Sequence, residues 1–199
     1  MIVVRYSGRL GNNLFQYCFA RILAENRGDS LFSEDDFLYS SHFSNIEFHQ
    51  ATPNAMHIVF DETRNFDFNI SELLAIPPQM SISLTGYFQK FKYYKGYVDQ
   101  IREWLYLPES NFQVGKNDII LHFRRDDYLE SGSELPFSYY KDILQSKQFD
   151  KIYITGDIDE AVKDAFACYL PNIVELPPID TLQFMKQFDN IVIANSTFS

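Results

Sequence analysis

The second half of the chain alternates short apolar runs with amphipathic stretches, and that rhythm sets its class. Ile119–Phe123 predicts a buried strand, residues 136–145 a helix, residues 151–155 a strand and residues 158–168 a helix. Residues 173–176, 181–188 and 191–194 continue as strand, helix and strand, the last read as buried on both faces. Strands that alternate with helices imply a parallel sheet with right-handed crossovers.

The first half follows a related pattern. Residues 2–6 read as a short buried strand, followed by the glycine loop Gly8 to Asn13. Leu14, Phe15, Cys18, Phe19, Ile22 and Leu23 then recur in pairs every four residues, the stripe of an amphipathic helix. Residues 28–53, with the acidic cluster Glu34, Asp35 and Asp36, carry no clear period. Residues 56–60 and 81–88 read as strands, and Tyr94, Val98, Ile101 and Leu105 mark a helix that stops before Pro108. The polar segment 108–117 is a boundary, which gives two α/β domains, 1–108 and 109–199.

Composition narrows the function. Of 199 residues, 46% are hydrophobic and 17% aromatic, enough for a substantial core. The formal charge is -10 and no block of Lys and Arg stands out, so broad binding to nucleic acid or an anionic membrane is disfavoured. An anion has to be recognised locally. Cys18 and Cys168 lie far apart, outside any disulfide or zinc spacing, and no apolar run is long enough to span a bilayer. The expected address is the cytoplasm, or peripherally the inner face of its membrane.

The candidate chemistry centres on His122-Phe123-Arg124-Arg125-Asp126-Asp127-Tyr128. Two arginines at the carboxyl end of a buried strand present forked, permanently charged donors that match phosphate oxygens. That end of an open α/β sheet is where ligands bind. The plain alternative is a set of surface ion pairs with Asp126 and Asp127. The loop Gly8 to Asn13 lacks dinucleotide and P-loop spacing, yet it brings Arg9 and Asn12 to a helix N-terminus. Asp157-Ile158-Asp159 has the spacing of a glycosyltransferase metal motif, but Asp157 with Glu160 three residues on reads better as a capping box. Asn195, Ser196 and Thr197 end the last strand as hydrogen-bonding groups.

Taken together, Gly8-Arg9-Leu10-Gly11-Asn12-Asn13-Leu14-Phe15-Gln16-Tyr17, Gly86-Tyr87-Phe88-Gln89, the arginine segment and Ile193-Ala194-Asn195-Ser196-Thr197-Phe198-Ser199 resemble the ordered motifs of the α-1,2-fucosyltransferases, glycosyltransferase family 11. The resemblance implies a GT-B-like architecture: two Rossmann-type α/β halves facing a cleft, an acceptor-side domain 1–108 and a donor-binding domain 109–199. It implies inverting, metal-independent transfer of L-fucose from GDP-fucose to the 2-hydroxyl of a galactoside, with no cofactor. On the family's pattern Arg124 and Arg125 hold the donor pyrophosphate, supported by His122 and Asp127. Asn195, Ser196 and Thr197 line the donor pocket, and Arg9 and Asn12 approach from the other domain. Asp126 stands where the family often has glycine, and Asn13 where it often has glutamine. Relatives usually continue past the position of Ser199, so the second half reads as truncated. Two rival readings are a nucleotide-sugar-binding homologue without activity and a metal-dependent transferase using Asp157 and Asp159.

Overall fold

The computed structural model describes residues 1–35, 37, 39–50, 57–65, 67–108 and 112–197. The chain divides into two compact units, residues 1–108 and 109–197. Each is a Rossmann-type α/β half with an all-parallel sheet.

In the first unit, β1 (Ile2–Val4) is wholly buried and enters α1 (Leu10–Arg27) through a short loop. The helix begins earlier than the glycine-loop reading allows, so Gly11, Asn12 and Asn13 form its first turn. The left-handed glycine of the loop is Gly8, at φ 77°. The region without a period supplies β2 (Leu31–Ser33) and β3 (His49–Gln50). β4 (His57–Asp61), the short helix α2 (Ile70–Leu74), β5 (Ser81–Thr85) and α3 (Val98–Trp104) complete the unit. Met56, the expected start of β4, lies outside the described residues. The sheet order is β3-β2-β1-β5-β4, so β1, buried throughout, and β5, buried at its three central residues, sit inside it.

The aromatic content does its packing here. Phe19 of α1 stacks on Phe88 at 4.2 Å between ring centroids and meets Phe68 and Tyr93 edge-on. Such pairs stabilise by about 0.5–1.5 kcal/mol each beyond their buried area. At the other end of α1, the buried Arg27 side chain donates to the carbonyls of Leu73, Ile76, Pro77 and Met80 and pairs with Asp29. One side chain thereby satisfies acceptors that no strand partner reaches.

The second unit opens with β6 (Ile119–Phe123), buried at every position. α4 (Asp126–Ser131), α5 (Phe137–Ser146), β7 (Ile152–Gly156), α6 (Glu160–Phe166), β8 (Asn172–Ile173), α7 (Pro178–Met185) and β9 (Asn190–Val192) follow. The order β8-β7-β6-β9 makes β6 an inner strand. Ile119, Leu121 and Phe123 face α5 and α6 through Tyr140, Leu144, Val162 and Phe166. Phe184 of α7 packs on Tyr153 of β7, as does Phe188 just beyond the helix.

Two expectations need correction. β8 is two residues long, because the segment beyond Ile173 enters the Pro177–Pro178 start of α7. β9 is an edge strand with one open face: Val192 and Ala194 are buried, while Ile191 and Ile193 are 41% and 45% exposed. It is not buried on both sides. No helix among the described residues is long and apolar enough to cross a membrane.

Gly86 tests this packing. It sits at φ 139°, and a Cβ there meets the Cβ of the buried Glu62 at 2.5 Å. Gly86→Ala is expected to lower unfolding free energy by about 1–3 kcal/mol. Gly96→Ala, where nothing lies within 4 Å, is expected to change it by less than about 0.5 kcal/mol. Urea unfolding of both variants makes the comparison, and equal midpoints contradict the assignment of strain to Gly86.

Candidate functional site

The polar groups of each unit gather where its strands end. In the first unit the buried Gln16 ties three segments together. Its Nε2 donates to Ser7 Oγ and to the Gly86 carbonyl, both at 2.9 Å, and its Oε1 accepts from Ser7 N–H at 3.1 Å. Asn13 Nδ2 adds a bond to the Ser7 carbonyl at 3.1 Å. The loop after β1 and the loop after β5 are thus fastened to one helix turn. Gln89 Nε2 then donates to Asn12 Oδ1 at 2.9 Å, which orients the Asn12 amide. Arg9 is the N-cap residue of α1 and is exposed.

Phe88 is held at φ 52°, costly for a bulky residue. Its N–H donates to buried Glu62 and its carbonyl accepts from the Tyr94 hydroxyl. The Gly86 to Gln89 motif is therefore a fixed corner, not a free loop. Gln16 and Gln89 stand within the sequence motifs, whereas Glu62 lies outside them. An acid just after a strand was the available signal.

In the second unit, β6 is flanked by β7 and β9 in parallel register, so their carboxyl ends lie side by side. From these ends come Arg124 to Asp127, Asp157 to Asp159, and Asn195 to Thr197 respectively. Both arginine side chains are largely withdrawn from water, at 12% and 13% exposure. Arg124 pairs with Asp127 and, at 3.2 Å, with Asp157. Arg125 pairs with Asp159 at 3.0 Å. The guanidinium of Arg124 lies 5.3 Å from the Tyr128 ring centroid, and that of Arg125 lies 4.8 Å from Phe137. Aromatic faces and carboxylates thus set the direction of both forks.

The surface ion-pair reading of the arginine segment holds for Asp127, whose side chain is 56% exposed. The others come from β7. Asp126 and Asp127 instead open α4, a helix that the sequence pattern did not reveal, and acids suit its first turn.

The capping prediction for Asp157 also needs correction. Asp159 is the N-cap of α6 and accepts from the Val162 N–H at 2.9 Å. Asp157 turns the other way and accepts the backbone N–H groups of Arg125 and Asp126. Burial works to raise the Asp159 carboxyl, but the Val162 N–H and the Arg125 guanidinium outweigh it and hold the group below its ordinary value. Among the described residues no group of three or more His, Cys, Asp or Glu side chains is placed to hold a metal ion.

Tyrosines join the strand ends to their helices. The Tyr128 hydroxyl donates to the Asn195 carbonyl and Tyr139 to the Ile193 carbonyl, both at 3.3 Å, while Tyr140 donates to the His122 carbonyl at 3.2 Å. Asn195 Nδ2 donates to the Ser133 carbonyl at 2.8 Å. Asn195 is therefore linked to Arg124 through Tyr128, and half-buried Ser196 and Thr197 follow it. Phe198 and Ser199 of the final motif lie outside the described residues. His122 sits in β6, 4% exposed.

Two crystal structures of NodZ alpha-1,6-fucosyltransferase match the chain, one soaked with GDP-fucose and one co-crystallised with GDP. Their TM-scores are 0.52 and 0.53 at 11% and 12% identity, and each match covers 99% of this chain and 89% of the NodZ chain. The chain has a fucosyltransferase-like fold. No protein-family model matches the sequence, nor does any curated protein. At such identity the likeness is one of architecture, and the roles of individual residues have to be argued from their own chemistry.

Burial pushes His122 down to about 4, with the Arg124 charge adding to the effect and Asp157 opposing it. The imidazole is neutral at neutral pH. Unfolding returns it to about 6.5, so the unfolded chain binds the extra proton first as pH falls. Its contribution is complete above about pH 6.5 and is lost between about 6.5 and 4, by up to about 3 kcal/mol. His122→Gln, which cannot titrate, is expected to flatten the pH dependence of unfolding across that window. An unchanged slope contradicts the buried neutral state.

Proposed function

We propose that this protein is an inverting fucosyltransferase that uses GDP-fucose as donor and transfers L-fucose to the 2-hydroxyl of a galactoside, without a metal. The observation that carries the reading is the arginine pair: two nearly buried, pre-oriented guanidinium groups at the carboxyl end of an inner parallel strand. The fold-level likeness to a fucosyltransferase solved with GDP-fucose and with GDP supports the donor class. The motif order read from the sequence supports the 2-hydroxyl linkage.

The chemistry follows from charge. The acceptor oxygen attacks the anomeric carbon as the bond to the diphosphate breaks, which leaves an oxocarbenium-like sugar beside a departing anion. Groups aimed where negative charge develops lower this barrier most. Arg124 and Arg125 take that part: each guanidinium has five N–H groups, more than its carboxylate partners engage. Asp127 holds Arg124, which makes it a support for the fork and a poor free base. His122 packs beneath the strand end. Asn195, Ser196 and Thr197 line the donor side, while Arg9 and Asn12 stand at the start of α1 within the first unit. Asp157 and Asp159 serve the arginines, which leaves the metal-dependent reading without free ligands of its own in that motif.

Removing a charge-assisted contact to phosphate costs about 1.5–3 kcal/mol, a loss of roughly tenfold to more than a hundredfold in affinity. Arg124→Ala is expected to weaken GDP-fucose binding by that factor. Arg124→Lys restores part of it, because an ammonium lacks the fork. Calorimetric titration with GDP-fucose, followed by GDP release with lactose as acceptor, checks both steps. Unaltered donor affinity in Arg124→Ala sinks the assignment; donor binding without GDP release leaves a binding protein.

A further inference from the structure

Asp157 carries more hydrogen bonds on one atom than helix capping or surface pairing requires. Its Oδ2 accepts the Arg125 N–H at 2.9 Å, the Asp126 N–H at 3.1 Å and Arg124 Nη1 at 3.2 Å. Two successive N–H groups converging on one oxygen form an anion-holding nest. The atom therefore fixes the turn between β6 and α4 and, simultaneously, one end of the Arg124 fork. α6 does not need it, since Asp159 caps that helix.

The contact depends on Gly156. That residue stands at φ 99°, and a Cβ there falls 2.2 Å from the Phe123 carbonyl oxygen and 3.0 Å from the Phe123 nitrogen. The Asp157 N–H donates to the same carbonyl at 3.0 Å. β7 thus closes onto β6 one residue past their ladder, and only a residue without a side chain permits that approach. The Gly156-Asp157 pair delivers a carboxylate to the inside of the arginine turn.

We propose that Asp157 is the positioning residue of the anion site: it sets phosphate recognition through Arg124 and through the backbone of residues 125 and 126, without itself touching the ligand. The proposal rests on the reading of Arg124 as a phosphate ligand. It also accounts for the Asp-x-Asp spacing, in which the first carboxylate orients an arginine turn and the second caps a helix while holding Arg125.

GDP is the probe, titrated calorimetrically into wild type, Asp157→Asn and Asp157→Ala, with the thermal midpoint of each recorded. Asp157→Ala is expected to weaken GDP binding tenfold or more. Asp157→Asn is expected to recover most of that loss, because its amide oxygen still accepts the two backbone N–H groups and Nη1. Three results overturn the proposal: wild-type GDP affinity in Asp157→Ala, equal losses in the two variants, or tighter binding in Asp157→Asn. The last outcome means that the carboxylate competes with the ligand. Should Asp157→Ala fail to fold, the isosteric Asp157→Asn decides: affinity near wild type sustains the proposal, and a loss of tenfold or more ends it. Arg124→Ala separates the two levels. Wild-type affinity there removes the phosphate reading and this proposal together, whereas a loss there with Asp157→Ala unaffected removes this proposal alone.

Discussion

Two guanidinium groups nearly withdrawn from water have to be neutralised, and the carboxyl ends of β6 and β7 are arranged around that requirement. A buried cation without a partner costs several kcal/mol, which weakly screened carboxylates offset only in good geometry. Parallel pairing of β6 with β7 supplies the geometry. It brings Asp157 and Asp159 to the arginines from a neighbouring strand end, beside the local Asp127 on the solvent side. The sheet register thereby becomes an electrostatic device. A shift of β7 by one residue would turn these carboxylates away and leave the arginines uncompensated.

The first unit solves a related problem with neutral groups. Its strand-end loops expose backbone donors and acceptors to a buried place, and the Gln16 amide serves several of them. An amide both donates and accepts, so one side chain bridges two loops that a carboxylate or an ammonium could not. Full satisfaction makes such a network rigid. Asn12, at the edge of this network through Gln89, inherits a defined orientation from it.

The strand–helix rhythm was legible because buried parallel strands are apolar throughout: Ile119–Phe123 reads the same in sequence and structure. The arginines were legible because two cations ending such a run are chemically out of place. Their partners were not. Asp157 and Asp159 lie more than thirty residues from Arg124, and which acid faces which arginine depends on strand order, a property with no local signature. α4 was hidden because a six-residue helix shows too few turns for a period. Gly8 and Gly11 look equivalent in the motif, yet only Gly8 lies in left-handed space. β9 looked doubly buried because Ile191 to Ala194 is apolar at every position, and so short a run does not separate an edge strand from an inner one.

Arg27 has a consequence for how the first unit opens. Residues 73–80 join α2 to β5, and four of their carbonyl groups are served by this one side chain from the last turn of α1. Asp29, just beyond that turn, pairs with Arg27 and with the amino group of Met1 at the start of β1. Fraying of the helix end removes the common donor, so the connection and the entry to β5 lose these contacts together, and Asp29 loses one of its two cations. Segments distant in sequence are thereby expected to exchange their amide hydrogens as one cooperative unit, with the helix terminus as its latch.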